Sequence, residues 1–178
     1  VLIVEPAFFK DDRGWFMESF KDPVWQAALA SLGEPAFRPF VQDNHSCSQA
    51  GVLRRLHYQL PPYPQGKLVH VVKCRAFDLV VDIRQGSPRF GQEVGVELTA
   101  SNHLQLCIPE GFAHGFVALQ GDTHFLYKPT DVYAKDCELS IRWDDPAIGI
   151  QWPVLAAAPR LVPKDAEAPL LANAERLA

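Results

Sequence analysis

The chain has no apolar run approaching the roughly 20 residues that a membrane-spanning helix needs, so no membrane association is expected. It has no C-x-x-C pair. Cys47, Cys74, Cys107 and Cys137 are widely spaced, which indicates neither a zinc site nor a dithiol redox motif. No G-x-G-x-x-G follows a strand-like run and no G-x-x-x-x-G-K-[ST] occurs, so bound nicotinamide or ATP cofactors are not expected. G-x-S-x-G and H-E-x-x-H are missing too, which removes the commonest hydrolases visible in sequence. An excess of positive charge is lacking: 17 Lys and Arg stand against 21 Asp and Glu, for a formal charge of -4, and no nucleic-acid partner is expected. The opening residues show no signal-peptide pattern, so a cytoplasmic protein with reduced thiols is expected.

What is present is a globular composition, 48% hydrophobic and 21% charged over 178 residues. That length predicts one domain, 1–178, burying roughly 70% of its unfolded surface. Short β-rich runs recur (LIVEPAFF, GWFMESF, LVHVVKCRAFDLVVDIR, QEVGVELTA, LQLCIPE, FAHGFVAL, HFLYKPT, LSIRW), separated by turn signals such as DDRG, QGSPRFG and QGD. This spacing predicts an all-β sandwich or barrel. DPVWQAALASLG is the exception: Asp22 suits a helix cap, Pro23 the first turn and Gly33 the end, predicting one short helix. The Pro- and Ala-rich residues 154–178 read as a segment wrapped on the body, with a short helix from about Ala168.

The stretch from Gln42 to Leu68 places many polar residues in a strand-like setting. Regular alternation puts Arg55, His57 and Gln59 on one face and Arg54, Leu56 and Tyr58 on the other, so neither face is cleanly apolar. Taken singly, these groups have ordinary explanations. A strand histidine such as His57 or His114 is commonly buried and hydrogen-bonded, Lys67 flanks a turn, Tyr127 and Tyr133 fill a strand face or rim, and Arg13 serves its DDRG turn.

IPEGFAHGF contains P-x-G-x-x-H (Pro109, Gly111, His114) and resembles the second motif of cupin jelly rolls. The first cupin motif of metal-binding members would need H-x-H and a following Glu, but the matching strand reads His57, Tyr58, Gln59, so no metal is expected. QDNHSCS, GVLRRLHYQ, QGKL, FDLVVDIRQGSP, IPEGFAHGF, LYKPTDVY and IRWDDPAIGIQWP, in order from about Val4 to Leu171, are together similar to the dTDP-4-dehydrorhamnose 3,5-epimerase family. That resemblance implies a cupin-type jelly roll with one short N-terminal helix and a C-terminal segment packed back on the core. It also implies a homodimer and cofactor-independent inversion at the carbons flanking the ketone of a dTDP-4-keto-6-deoxyhexose.

Such a reaction passes through an enolate and needs a base on one face of the sugar, an acid on the other and a cation near the ketone oxygen. By resemblance His57 is the base, Asp165 the carboxylate orienting it, Tyr127 the proton donor and Lys67 the enolate partner. His114 matches a substrate-binding histidine. Arg13, Glu18, Gln42, Asn44, Arg54, Tyr133, Glu138 and Lys164 match positions contacting the nucleotide or the sugar, Tyr133 as the aromatic stacked on thymine. Arg54 and His57 are three apart, so serving one site requires a bulge or a shared site. The chain departs from the family pattern at Arg55, usually glycine, at Cys47, usually arginine, and at Pro129 and Val132, which bears on substrate scope; the alternative is a single-carbon (C3 or C5) epimerase acting on a related nucleotide-linked 4-keto-6-deoxy sugar. A noncatalytic sugar-binding cupin would need no opposed acid and base.

Overall fold

The β-rich runs pair into two antiparallel five-stranded sheets and a separate hairpin, seen in a computed structural model that describes residues 1–162 and 167–175. In chain order the elements are β1 (Leu2–Val4), β2 (Phe8–Asp11), β3 (Gly14–Met17), α1 (Asp22–Ser31), β4 (Asn44–Ser48), β5 (Leu53–Gln59), β6 (Lys67–Lys73) and β7 (Arg75–Asp82). They continue with β8 (Glu93–Thr99), β9 (Gln105–Ile108), β10 (Phe112–Ala118), β11 (Thr123–Pro129) and β12 (Glu138–Ile141). One sheet has the order β1-β9-β6-β11-β4, the other β12-β5-β10-β7-β8, and β2 pairs with β3 alone. This is the jelly-roll expectation. Among the described residues no helix is long and apolar enough to cross a membrane.

Alternation along each strand builds three apolar layers. Between the sheets, Val69, Val71, Val80, Leu98, Leu106, Phe116 and Phe125 form the inner core, with the rings of Phe116 and Phe125 stacked at 4.1 Å. The outer face of the first sheet, Leu68 and Cys107, is covered by Trp25 and Leu29 of α1. On the outer face of the second sheet, Leu56, Tyr58, Leu79, Val81 and Ala113 meet Leu171 and Ala174 from the C-terminal segment. Each fully buried side chain of this size contributes roughly 1.5–3 kcal/mol.

The C-terminal segment is tied down by polar contacts as well. Arg160 bridges to Val52, the Leu171 amide donates to Asp145 Oδ2 at 2.6 Å, and the Tyr58 hydroxyl donates to the Glu175 carbonyl. The helix expected near Ala168 is only a 3-10 turn at Leu171–Asn173.

Three local expectations need correction. Asp22 is the first helical residue and Lys21 the cap, without a side-chain cap bond, although Gly33 does end the helix with φ +71°. LIVEPAFF is broken after Val4, where Pro6 offers no amide for a ladder. LVHVVKCRAF is two strands rather than one, because Cys74 adopts φ +63° and turns the chain from one sheet to the other.

The conflict between Arg54 and His57 is resolved by a β-bulge. His57 lies opposite His114 and Arg54 opposite Phe116, so β5 spends three residues where β10 spends two. The extra residue returns Arg54 to the inner face. Gly115 makes the bulge possible, because a Cβ there would lie 2.5 Å from the Arg54 carbonyl oxygen and 2.8 Å from that of Arg55. Gly115→Ala is therefore expected to cost about 1–3 kcal/mol by overpacking against backbone. Urea denaturation checks this, and an unchanged midpoint would contradict the close approach.

Candidate active site

The inner face is not apolar throughout. A cavity of about 250 Å³ opens between the sheets, lined by Gln42, Asn44, His57, Gln59, Gln65, Tyr127, Tyr133 and Glu138. Larger clefts of about 890 and 660 Å³ lie along the N-terminal hairpin and α1. The smaller cavity is the one where ionisable groups with shifted proton affinities converge, which marks it as the candidate site.

Its floor is a contact between two basic groups. Lys67 begins β6 with its side chain pointing inward, and its ammonium lies 3.1 Å from His57 Nε2 across the sandwich. The other ring nitrogen, Nδ1, is 3.0 Å from the Arg55 carbonyl. A carbonyl only accepts, so Nδ1 carries the hydrogen and Nε2 presents a lone pair that accepts from the ammonium. Lys67 is 2% exposed, not the surface charge its turn-flanking position suggests. Burial pushes its affinity for the proton down, to about 8, against the opposing pull of Asp78 and Glu138. Burial, then the Lys67 and His114 charges, hold His57 well below the ordinary imidazole value. At neutral pH the pair is a charged donor beside a neutral base.

Other groups are placed around this pair. His114 is paired through Nε2 with Asp78 Oδ1 at 2.6 Å, both fully buried, and its ring lies 5.9 Å from that of His57. Tyr127 of β11 faces the same cavity opposite Asn44, and burial raises its phenol above the ordinary value, so it stays protonated through the neutral range. Arg54 reaches the Ser48 hydroxyl at 3.3 Å, and its charge is felt by Tyr127. Gln42 donates to Asn44 Oδ1 at 2.8 Å and accepts from the Tyr133 amide at 3.3 Å.

Arg55, standing where the family pattern has glycine, is 8% exposed and donates to Glu138 Oε2 at 3.2 Å. The Tyr133 hydroxyl donates to the same oxygen at 3.3 Å. Gln59 ties this rim to the strand: its amide nitrogen donates to the Tyr63 and Val132 carbonyls at 2.6 and 3.1 Å, and its oxygen accepts from the Ala134 amide at 2.9 Å.

Not every expected residue is gathered. Arg13 sits at the tip of the β2–β3 hairpin, bonded to Asp11 with its side chain 90% exposed, and Glu18 lies beside the 660 Å³ cleft, so neither lines the cavity. Lys164 and Asp165 lie outside the described residues. Asp78, Gln59 and Gln65 were not anticipated. Asp78 could have been found as a lone acid in FDLVVDI, and Gln59 by its parity with His57. Among the described residues, three metal-ligating side chains converge only at Cys47, Asp122 and His124, on the other face of the sheet.

Residues 1–173 match a family model described as dTDP-4-dehydrorhamnose 3,5-epimerase. The dTDP-4-dehydrorhamnose 3,5-epimerase of Salmonella typhimurium is 51% identical over 98% of this chain and 92% of its own length. A solved dTDP-6-deoxy-D-glucose-3,5-epimerase from Legionella pneumophila, in complex with dTDP-4-keto-L-rhamnose, superposes with a TM-score of 0.90 at 48% identity, covering 97% of this chain and 88% of that one. A 3'-monoepimerase from Streptomyces bikiniensis, in complex with dTDP-quinovose, gives a TM-score of 0.86 at 33% identity, covering 96% and 83%.

The electrostatics of the floor are directly measurable. In ¹⁵N-histidine spectra His57 is expected to be neutral at pH 6.5, with the hydrogen on Nδ1. Lys67→Met should raise its pKa, because removing the cation removes a charge that opposes protonation. A His57 that titrates at or above 6.5 in the unmodified protein would contradict this electrostatic account.

Proposed function

Because this chain belongs to the dTDP-4-dehydrorhamnose 3,5-epimerase family, an isomerase family, we propose that it converts dTDP-4-dehydro-6-deoxy-D-glucose to dTDP-4-dehydro-L-rhamnose by inverting C3 and C5. The observation that carries the reading is the protonated Lys67 held 3.1 Å from the lone pair of His57, which lines one cavity together with Tyr127. Proton abstraction beside a ketone needs these three functions together.

In the proposed cycle His57 Nε2 takes the proton from the carbon next to the ketone, and the electron pair moves to the ketone oxygen as an enolate. Lys67, now donating to that oxygen instead of to His57, stabilises the charge. Tyr127 then gives its proton to the carbon from the opposite face and regains one from solvent, while His57 releases the proton it took. The same sequence at the second carbon completes the product, with no net electron or proton change. Asp165 is the carboxylate assigned to stabilise the imidazolium, and His114, oriented by Asp78, binds the sugar. Arg54, Gln42, Asn44, Glu138, Tyr133 and Lys164 are assigned to the substrate, with Tyr133 against the thymine.

Arg13 and Glu18 enter this scheme through a homodimer. The β2–β3 hairpin exposes Phe9, Trp15 and Phe16 at 62, 55 and 66%, an apolar surface typical of an interface. A hairpin lent to a second copy would carry Arg13 and Glu18 to that copy's site. A cytoplasmic location belongs to the same proposal. Inversion of one carbon only is the second reading, and the lower identity to the monoepimerase, 33% against 51% to the Salmonella enzyme, favours the first.

Incubation with the 4-keto-6-deoxy substrate in D₂O tests the scheme: NMR is expected to locate deuterium at both C3 and C5. Label at one carbon selects the second reading, and none above the spontaneous background rejects epimerisation of this substrate. His57→Ala should lower exchange by roughly 10²–10⁴-fold, whereas Tyr127→Phe should suppress completed inversion more than the first abstraction.

The pH profile of kcat/KM should be a bell. Its acid limb lies below 6.5, where His57 takes up a proton and loses its lone pair, and its alkaline limb lies near 8, where Lys67 loses its charge. Lys67→Arg should move the alkaline limb upward. Light scattering is expected to give a dimer, and monomer alone would overturn that part.

A further inference from the structure

A second cluster of reactive side chains lies outside the cavity, on the opposite face of the first sheet. His45 and Cys47 of β4 and His124 of β11 share this outer face, because Cys47 pairs directly with His124 across the two strands. Asp122 closes the group from the turn before β11, where it holds φ +59°. We propose that Cys47 Sγ, Asp122 Oδ1 and His124 Nε2 form a binding site for a borderline divalent transition ion of the zinc type.

The three ligand atoms already lie close to the spacing such an ion needs. A tetrahedral ion with bonds of about 2.0–2.3 Å holds its ligand atoms about 3.3–3.6 Å apart. Here Cys47 Sγ is 3.1 Å and His124 Nε2 3.4 Å from the same Asp122 oxygen, and all three atoms lie within 4.8 Å of one another. The donor set of thiolate, imidazole and carboxylate suits zinc or cobalt and not the hard calcium or magnesium ions. The thiol proton that now bridges Cys47 to Asp122 is what the ion replaces, leaving for solvent as the metal–sulfur bond forms. Water takes the fourth position, open to solvent because Asp122 is half-exposed.

The surroundings set the ring and the charge. His45 Nε2 lies 2.9 Å from His124 Nδ1, so with the His124 hydrogen on Nδ1 donated to His45, Nε2 is free to ligate. Metal-bound histidines are commonly oriented through their second nitrogen in this way. Lys73 occupies the other oxygen of Asp122 and opposes a cation there, leaving Oδ1 for the ion.

The test is titration of the reduced full-length chain with Co²⁺, followed by displacement with Zn²⁺. One equivalent is expected to give a thiolate-to-cobalt charge-transfer band together with the visible bands of tetrahedral cobalt, both lost on adding Zn²⁺. Cys47→Ser and His124→Ala should abolish the bands while leaving melting temperature and epimerase turnover unchanged, and Cys74→Ser and Cys137→Ser should retain them. His45→Ala should weaken binding roughly 10-fold or more. Lys73→Ala should tighten it several-fold. Bands that persist in Cys47→Ser, or unmodified protein that binds no more tightly than that variant, would overturn the site and leave only adventitious binding.

Discussion

A buried ammonium resting on a buried imidazole, Lys67 on His57, is the interaction that the rest of the molecule has to accommodate. Neither group gains from leaving water: burial lowers the proton affinity of both, and the Lys67 charge lowers that of His57 further. A sandwich that spends part of its inner face this way must find apolar burial elsewhere, and it does so on its two outer faces. Helix α1 covers Leu68 and Cys107, and the C-terminal segment lays Leu171 and Ala174 over Leu56 and Tyr58. The flanking elements thus compensate on one side of each strand for polar residues on the other.

The same constraint explains the backbone irregularity. A regular β5 would send Arg54 and His57 to opposite faces, and the single extra residue of the bulge brings both inward. That manoeuvre requires β10 to run unusually close, which only a residue without a side chain permits at position 115. Strand, bulge and glycine are one device, and the cavity inherits its shape from it.

Much of this was legible in the chain itself. Strand runs, the helix between Pro23 and Gly33, and the inward role of His57 and Tyr127 follow from periodicity, turn chemistry and family likeness. The Arg54–His57 spacing alone calls for an irregularity in β5. What escaped had tertiary causes. Cys74 looks like an ordinary strand residue, and only its place between two sheets forces positive φ. Asp78 is a plain acid in an apolar run until His114 is brought against it, and Lys67 is buried because the second sheet brings His57 over its ammonium. Arg13 and Glu18 match a family pattern, and nothing in that pattern tells that the fold sets them apart from the cavity.

Gln59 gives the cavity a property that a list of its side chains does not convey. One amide grips three backbone positions, at Tyr63, Val132 and Ala134, and two of these flank Tyr133. The rim aromatic and the strand histidine two residues before Gln59 are thereby joined by a single rigid strut. The spacing between rim and strand at this end of the cavity is thus fixed by one uncharged side chain, and a change at Gln59 reaches Tyr133 through the backbone on both sides of it.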